Sequence, residues 1–318
     1  MIRFRPFRNT DPPALCEIWR SQAPRRGLTS SVSPMSLDRY VLSKPYFDRL
    51  GFIIAEDDER PIGFAHAGPG PEIAGGSRSP RGTISMVMTL PAHYSADLAS
   101  ELIARAEQYL SRCGVQECTA IGSGNLCPYY LGMYGGCALP GVLQSDRLLH
   151  DIFSDCGYES KAEFVIWQRQ MATYRPPVDR KLMQVRRQFV VEPQIDPPAR
   201  SWWDACIFVG HDLTEFAIRQ RSSGECVGRA LFWEMEPIAS SWGVHAAGIV
   251  DIAVEPTYQR QGLATFLLGE SLRQMQSQGA TLVEVQSNAD DEAAQGLLLK
   301  LGFTPIDRGS LLVKQLKN

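Results

Sequence analysis

The sequence predicts an α+β fold made of two tandem copies of one unit, each with a mixed, mostly antiparallel sheet flanked by helices. The first observation is an internal repeat, in which positions in the first half match positions 165 residues later. The second is that the predicted elements follow the same order in both halves. The matched pairs are Pro91 with Pro256, Leu98 with Leu263, Ala99 with Ala264, Leu102 with Leu267, and Gly114 with Gly279.

The first unit contains a predicted hairpin, "GFIIAEDDERPIGFAHAG" from Gly51, with its turn at 57–60. The strand "TISMVMTL" ends at Pro91, and an amphipathic helix then ends at Gly114. The strand "VQECTAI", a helix that ends at Gly157 and the strand "FVIWQRQ" complete this unit. The polar stretch "ATYRPPVDRK" follows and predicts a linker because it carries two prolines.

The second unit repeats this order with a hairpin from Thr214, the strand "GIVDIAV" from Gly248 and a helix from Gly262 that ends at Gly279. The strand "ATLVEV", a helix that ends at Gly302 and the strand "SLLVKQL" follow. The predicted domain boundaries are 1–173 for the first domain, 174–183 for the linker and 184–318 for the second domain.

The composition indicates a globular protein in the cytoplasm. With 44% hydrophobic residues and a net charge of -3, the chain has no basic excess for nucleic acid or an anionic membrane. The charged start "MIRFRPFRNTDPP" does not resemble a signal peptide, and no apolar run is long enough to span a bilayer. The eight cysteines include no C-x-x-C pair, which favours reduced thiols over disulfides or zinc, so we expect no metal.

One loop is predicted to bind an anion. "QRQGLA", residues 259–264, lies between the apolar strand and the helix of the second unit. The first amides of a helix have no partner within it and carry a partial positive charge, so they bind phosphate groups. Gly262 leaves room for a ligand to approach the backbone, and Arg260 adds a cation.

These residues also carry a resemblance. Gln259–Ala264 resembles the Q/R-x-x-G-x-G/A motif of the GNAT superfamily of N-acyltransferases, and "LLLKLGF" resembles its later "LYxKLGF" element. The length is similar to that of tandem two-domain members such as mycothiol synthase. The resemblance implies acetyl-CoA or another acyl-CoA as cosubstrate. It places the pantetheine arm along Ile252, Ala253 and Val254. The implied pyrophosphate site consists of Gln259, Arg260, Gln261, Gly262, Leu263, Ala264 and Thr265.

The first unit lacks this loop. Asp97 occupies the position of Gly262, and we expect it to act as a helix cap that fills the anion site. The first domain is therefore predicted to be degenerate and not to bind CoA in the usual way.

Two segments differ from a simple repeat. The extra loop 122–146 carries Tyr129, Tyr130, Tyr134 and Asp146, which would form an acceptor pocket, cover the other domain or pack as a structural excursion. The region before Thr214 is short, and Trp202 and Trp203 would replace its missing helices or pack against the first domain. We expect the acceptor to bind in the groove between the domains.

The sequence offers several candidates for the proton-transfer groups. The resemblance implies an acidic tyrosine at the position of Leu298 and a basic carboxylate at Gly248, and neither residue can serve. The remaining candidates are Asp251, Glu255 and His245, of which we select Asp251 as the catalytic residue because an acid in an apolar strand has a raised pKa. An asparagine that contacts CoA in the family is placed at Asn288, with Asp291 as its alternative.

The predicted function is acyl-CoA-dependent N-acyl transfer, with acetyl as the acyl group and a small-molecule or peptide amine as acceptor. The single site lies in the second domain. The alternative is a non-catalytic acyl-CoA-binding or regulatory protein.

Overall fold

The computed structural model describes residues 1–72, 79–124 and 126–316. The strands of the first half are β1 Arg3–Pro6, β2 Phe52–Asp57, β3 Arg60–Pro69, β4 Arg81–Thr89, β5 Glu117–Ala120, β6 Val142–Leu143 and β7 Glu159–Gln170. Its α-helices are α1 Pro12–Arg20, α2 Pro34–Leu37, α3 Ala96–Arg112 and α4 Arg147–Asp155. A π-helical turn at Asp38–Leu42 follows α2, and 3₁₀ turns lie at Arg49–Gly51 and Pro91–His93.

The second half has the α-helices α5 Arg180–Gln188, α6 Trp202–Phe208, α7 Glu236–Trp242, α8 Leu263–Ser277 and α9 Glu292–Lys300. Its strands are β8 Phe189–Ile195, β9 Leu213–Gln220, β10 Cys226–Glu234, β11 Ala246–Val254, β12 Leu282–Asn288 and β13 Thr304–Gln315, with a 3₁₀ turn at Pro256–Tyr258. Among the described residues, no helix is both long enough and apolar enough to cross a membrane.

The repeat predicted from the sequence is present in the structure. β4 and β11 are the matched central strands, and each is followed by a 3₁₀ turn that starts at a proline and by a long amphipathic helix. Each runs parallel to the strand after that helix, β5 or β12. The predicted hairpins are β2–β3 and β9–β10, and positive φ angles at Asp58, Glu59 and Gly224 close their turns.

The two halves exchange their last strands and share one 13-stranded sheet. The strand order is β1-β2-β3-β4-β5-β13-β7-β12-β11-β10-β9-β8, with β6 paired to β13. The final strand of the chain, β13, therefore lies beside β5 of the first half, while β7 lies beside β12 of the second half. Leu312 of β13 accordingly packs in the core of the first half, and Trp167 of β7 packs in the core of the second.

The segment between the halves contains a helix. α5 begins at Arg180, within the predicted linker, and packs against α8 through Leu182 and Val185. The boundaries 1–173, 174–183 and 184–318 stay a prediction, since the sheet runs through both halves without interruption.

A third apolar cluster lies between the halves. It joins residues of loop 122–146 to residues from α6, α7 and the strands β10 to β12. Its buried members include Cys137 from that loop and Trp233 from β10, and the indole N–H of Trp233 donates to the carbonyl of Cys137 at 3.0 Å. This cluster fixes the loop of the first half against the central strands of the second.

Candidate active site

A gap opens between two parallel strands in the second half. β11 and β12 pair only over Ala246–Ile249 and Leu282–Val285, after which β12 continues beside β7. The register of β11 with β10 shifts at Val250, because Leu231 faces Asp251 while Phe232 faces Ile249. This β-bulge bends β11 away from β12, and within the described part of the chain no strand pairs with the last residues of β11 on that side. Of the predicted pantetheine residues, Ala253 is exposed, and Ile252 and Val254 are half-buried.

The loop after β11 keeps the first amides of α8 free of any side-chain cap. Gly262 is the residue before α8 and has φ 92° and ψ 2°, a left-handed conformation that favours glycine. Two glutamines of the motif brace the loop, since Gln259 Nε2 donates to the carbonyl of Val254 and Gln261 Nε2 to that of Thr257, both at 2.9 Å. The uncapped helix end, with Arg260 nearby, has the features expected of a phosphate site.

A second cation lies beside this loop and was missed by the sequence reasoning. Lys181 Nζ donates to the carbonyl of Arg260 at 2.9 Å, and a Cβ on Gly262 would lie 3.4 Å from Lys181 Cε. Lys181 belongs to α5, which the sequence analysis treated as linker, and it is exposed. Only the basic character of the stretch "DRK" could have indicated it.

The equivalent helix end in the first half is closed. α3 begins at Ala96, two residues earlier in the repeat than α8, and its cap is Ser95, whose hydroxyl accepts from the amide of Leu98 at 3.1 Å. The expectation that Asp97 caps the helix is therefore wrong, since Asp97 lies exposed in the first turn. Ser95 takes the cap because its extended backbone directs its hydroxyl at the free amides.

The strand of the first half that matches the pantetheine residues is also covered. Val87 and Met88 are buried, and the carbonyl of Thr89 accepts from Gln22 Nε2 at 2.9 Å. β4 and β5 pair only as far as Ile84 and Ala120. Beyond that point lies Cys127 of loop 122–146, whose thiol is 3.2 Å from the hydroxyl of Ser85. Protein atoms thus occupy the space that is open in the second half.

A cavity of about 700 Å³ opens at the bulge of β11, between the two halves. Leu131 and Ala138 of the first half contribute to its wall. The other lining side chains come from α6, from the loops before and after it, and from strands β9 to β11. Its position agrees with the predicted groove between the domains.

Asp251 lines this cavity, but it is not the buried acid expected from its apolar strand. Arg200 Nη1 lies 2.5 Å from Asp251 Oδ2, and the same guanidinium lies 3.5 Å from Glu215. The side chain of Asp251 is 38% exposed, so it lacks the burial that its apolar strand predicted. The bulge at Val250 turns this residue from the core toward solvent.

The other candidates for proton transfer lie outside the cavity. His245 precedes β11, at the end remote from the 3₁₀ turn, and its Nε2 is 2.6 Å from Glu234. Glu255 is exposed where β11 ends, and its amide donates to the carbonyl of Val227. Leu298 is buried in the core of the second half and offers no proton.

Gly248 stands where the resemblance implies a basic carboxylate, and the structure explains the glycine. A Cβ there would lie 2.5 Å from Trp233 Nε1 and 2.6 Å from Cys137 Cβ. The loop of the first half thus fills the space that a longer side chain at this position would need. Glu284, paired with Gly248 across the parallel strands, is fully buried and accepts from the amide of Cys137.

Loop 122–146 covers the second half, but through other residues than the predicted ones. Tyr129, Tyr130 and Tyr134 are 0–1% exposed in the core of the first half, and Asp146 is paired with Arg25, so none of the four forms an acceptor pocket. Its contacts with the second half include those of Gly132, Cys137 and Ala138 and the pairing of β6 with β13, while Asn125 lies outside the described residues.

The tryptophans before Thr214 differ in position. Trp203, in α6, packs against Tyr46 of the first half with ring centroids 4.7 Å apart, as one of the predicted alternatives had it. Trp202 is 65% exposed.

The two candidates for the side chain that contacts CoA lie between β12 and α9. Asn288 ends β12 and is exposed. Asp291 Oδ1 accepts from the amide of Ala294 at 2.9 Å, so this carboxylate already serves as the helix cap.

Comparisons with known proteins agree with this architecture. The model of the acetyltransferase (GNAT) family matches residues 13–130 and 179–303. A tandem GNAT protein from the clavulanic acid biosynthesis pathway is similar over 100% of this chain and 99% of its own, with a TM-score of 0.68 and 11% identity. For a GCN5-related N-acetyltransferase from Sphaerobacter thermophilus, the coverages are 100% and 96%, the TM-score is 0.65 and the identity is 12%.

A third similar structure is the glucosamine N-acetyltransferase region of a fungal multi-domain GH3 β-N-acetylglucosaminidase. It matches 99% of this chain and 38% of its own, with a TM-score of 0.69 and 12% identity. No curated protein matches the chain. At these identities the solved structures show a common fold, and the family model supplies the assignment.

Proposed function

Since the chain belongs to the acetyltransferase (GNAT) family, we propose that it transfers an acyl group, with acetyl the simplest case, from an acyl-CoA to an amine. The proposed site is single and lies in the second half. The cytoplasmic location stays a prediction of the sequence.

The observation that carries this proposal is the contrast between the two repeats. In the second half the strands separate after Ile249 and the helix end at Gly262 has no side-chain cap. In the first half Ser95 caps the matching helix, and the matching strand residues Val87 and Met88 are buried. One repeat therefore has an open cleft that leads to an uncapped helix end, and the other is filled by its own residues.

The residues present suit an acyl-CoA. We propose that the open edge of β11 at Ile252, Ala253 and Val254 pairs with the pantetheine amides. The loop amides from Gln259 to Thr265, with Arg260 and Lys181 as cations, would hold the diphosphate. Asn288, at the end of β12, would contact the cosubstrate from the other side of the gap.

The proposed reaction is direct transfer. The amine nitrogen attacks the thioester carbonyl carbon, the carbon–nitrogen bond forms, the carbon–sulfur bond breaks, and the thiolate takes up a proton to leave as CoA thiol. An amine that arrives protonated releases one further proton. The acid of β11 that lines the cavity is Asp251, so we propose that it attracts the ammonium group and accepts that proton directly or through water.

The second candidate function is binding of acyl-CoA without catalysis. Two observations favour it: Leu298 is buried where the family resemblance implies an acidic tyrosine, and Arg200 already neutralises Asp251. Catalysis without the tyrosine depends on positioning and on solvent to protonate the thiolate.

The experiment is a thiol-release assay with acetyl-CoA and a panel of amines, run beside thermal unfolding with CoA. We expect amine-dependent thiol release and a CoA-induced rise in melting temperature. A rise without thiol release from any amine would favour the binding protein. The absence of any rise would contradict the proposed cofactor site itself.

A further inference from the structure

We propose that the acceptor amine carries a second group that is cationic at neutral pH, separated from the reacting nitrogen by an apolar segment, as in an aliphatic diamine or polyamine. This inference rests on the proposed function, because it assigns the substrate class of the same site. It is carried by the charge and the lining of the cavity at the bulge of β11.

The cavity has room and apolar surface for such a chain. Its volume of about 700 Å³ lies within the range of small-molecule sites, about 300–1,000 Å³. The apolar side chains on its wall come from both halves. They include Leu131, Phe208, Leu213, Leu231 and Val250.

The charged side chains of the wall are mostly acidic. Among the described residues, Asp196, Asp204, Glu215 and Asp251 line the cavity with Arg200 as the one cation beside them. That guanidinium is shared between Asp251 and Glu215. The side chains that line the cavity therefore carry a net negative charge, while two further cations, Lys44 and Arg39, lie behind the wall and donate to the backbone carbonyls of Ile207, Val209 and Gly210.

Asp204 is the clearest sign of a missing cation. It lies in the first turn of α6 and is half-buried, and its carboxylate has no hydrogen-bond or ion-pair partner among the described residues. A carboxylate in a partly enclosed site without a cation is unfavourable, and a ligand ammonium or guanidinium group would relieve this.

A second polar group of the wall also lacks a partner. His211 is packed between Tyr40 and Trp233, with ring centroids 5.0 and 4.7 Å away, and its buried Nε2 has no hydrogen bond to any described residue. Burial lowers the pKa of His211 to about 3, so the ring is neutral and adds no positive charge.

Two cationic positions follow from the reaction. The nitrogen that attacks must be neutral at the moment of attack, so it cannot balance the carboxylates of the wall at that stage. Asp251, at the bulge of β11, would face the reacting nitrogen, while Asp204, on α6, would face the distant cation. A monoamine would leave Asp204 unpaired, and a carboxylate on the acceptor would add repulsion.

The test compares three acceptors of equal length with the full chain in the presence of CoA: 1,4-diaminobutane, 1-aminobutane and 4-aminobutanoate. Calorimetry measures the affinity for each acceptor in the presence of CoA. The kcat/KM for thiol release is measured separately, with acetyl-CoA as cosubstrate. We expect the diamine to bind at least about tenfold more tightly than the monoamine, which is the effect of one hydrogen bond to a charged group. The amino acid should bind most weakly of the three.

Two variants locate the effect. Asp204→Asn should reduce the ratio of diamine to monoamine affinity, while Asp155→Asn, at the exposed end of α4, should leave the ratio unchanged. Equal binding of diamine and monoamine, no binding of either, or a preference for the amino acid would overturn the inference. Preferential diamine binding without thiol release would support it and count instead against the proposed catalysis.

Discussion

The amide of Cys137 donates a 2.8 Å hydrogen bond to Oε1 of Glu284, which joins the loop of the first half to a buried strand of the second. Oε2 of the same carboxylate accepts from Arg26 at 3.0 Å and from Gln168 at 2.7 Å. Burial raises the pKa of Glu284, and Arg26, Gln168 and the amide of Cys137 oppose this effect. All of these neighbours are donors, so they favour the ionised carboxylate.

We therefore predict that Glu284→Gln strongly destabilises the protein. The amide group would place a donor against other donors and leave Arg26 with only Asp307, 3.9 Å away, as a charge partner, at a cost of about 3–5 kcal/mol in the free energy of unfolding. The control is Glu163→Gln, which removes an exposed partner of Arg308 and should change that free energy by less than about 0.5 kcal/mol. Urea unfolding measures both, and similar midpoints for the two variants would contradict the structural role.

Gly248 is predicted to be required by the same loop. In Gly248→Ala the added Cβ meets Trp233 and Cys137 at 2.5 and 2.6 Å, so we expect a loss of about 1–3 kcal/mol in unfolding free energy. Gly296→Ala is the control, since nothing lies within 4 Å of that Cβ and alanine is the better helix residue in α9. The melting temperature should fall for Gly248→Ala and rise for Gly296→Ala. A Gly248→Ala protein with the melting temperature of the wild type would show that the loop does not pack against this position.

Much of this arrangement could be predicted from local patterns, because hairpin turns, helix periodicity and a glycine before a helix are encoded within short segments. The exchange of β7 and β13 could not. Alternation along a strand specifies which face is buried but not which strand lies beside it, and the two closing strands are similar in that respect. The approach of Lys181 to the loop follows from the packing of α5 on α8, which no motif encodes.

The candidate site shows the same division. Gly262 and its glutamines were found from their order in the chain, whereas the pairing of Asp251 with Arg200 joins residues 51 positions apart. Ser95 was missed as a cap because the fixed offset of the repeat directed attention to Asp97. The helix α3 begins earlier in the repeat than α8, so matched positions do not have matched roles.

Lys44 predicts a pH dependence of stability. Its ammonium group is buried and donates to the carbonyls of Cys206, Ile207 and Val209 at the end of α6, and burial lowers its pKa to about 8 from the usual 10.5. Between these values the unfolded chain binds more protons than the folded one, so this group makes stability rise with pH from about 8 to 10.5. The full effect is about 3 kcal/mol.

The comparison uses Lys44→Met across that range. Other groups also titrate there, but they do so in both proteins. The difference in unfolding free energy, wild type minus variant, should therefore increase from pH 8 to pH 10.5. A constant difference would show that Lys44 keeps its ordinary pKa in the folded protein.

Lys181 is predicted to strengthen CoA binding through the diphosphate. Lys181→Ala should raise the Kd for CoA about fivefold, the effect of roughly 1 kcal/mol expected for an exposed charge about 4 Å from an anion. Arg186→Ala is the control, because Arg186 lies on the same helix but pairs with Glu270 of α8. Calorimetry at low salt separates the two variants, and equal affinities for both would indicate that Lys181 does not reach the phosphates.

Gly262 provides the decisive test of the cofactor site. Separate halves cannot be used, because β13 and β7 each belong to the sheet of the other half. Because Gly262 has φ 92°, we expect Gly262→Asp to lose about 1–2 kcal/mol in the free energy of unfolding through backbone strain. Gly262→Asn has almost the same shape and tolerates this conformation equally well, so the pair differs mainly in charge.

Thermal unfolding with CoA should show a full rise in melting temperature for the wild type, a reduced rise for the asparagine variant and none for the aspartate variant. Calorimetry of the wild type should give one CoA per chain. If Gly262→Asp keeps the wild-type rise, the diphosphate binds elsewhere, and the capped helix end at Ser95 in the first half becomes the place to examine.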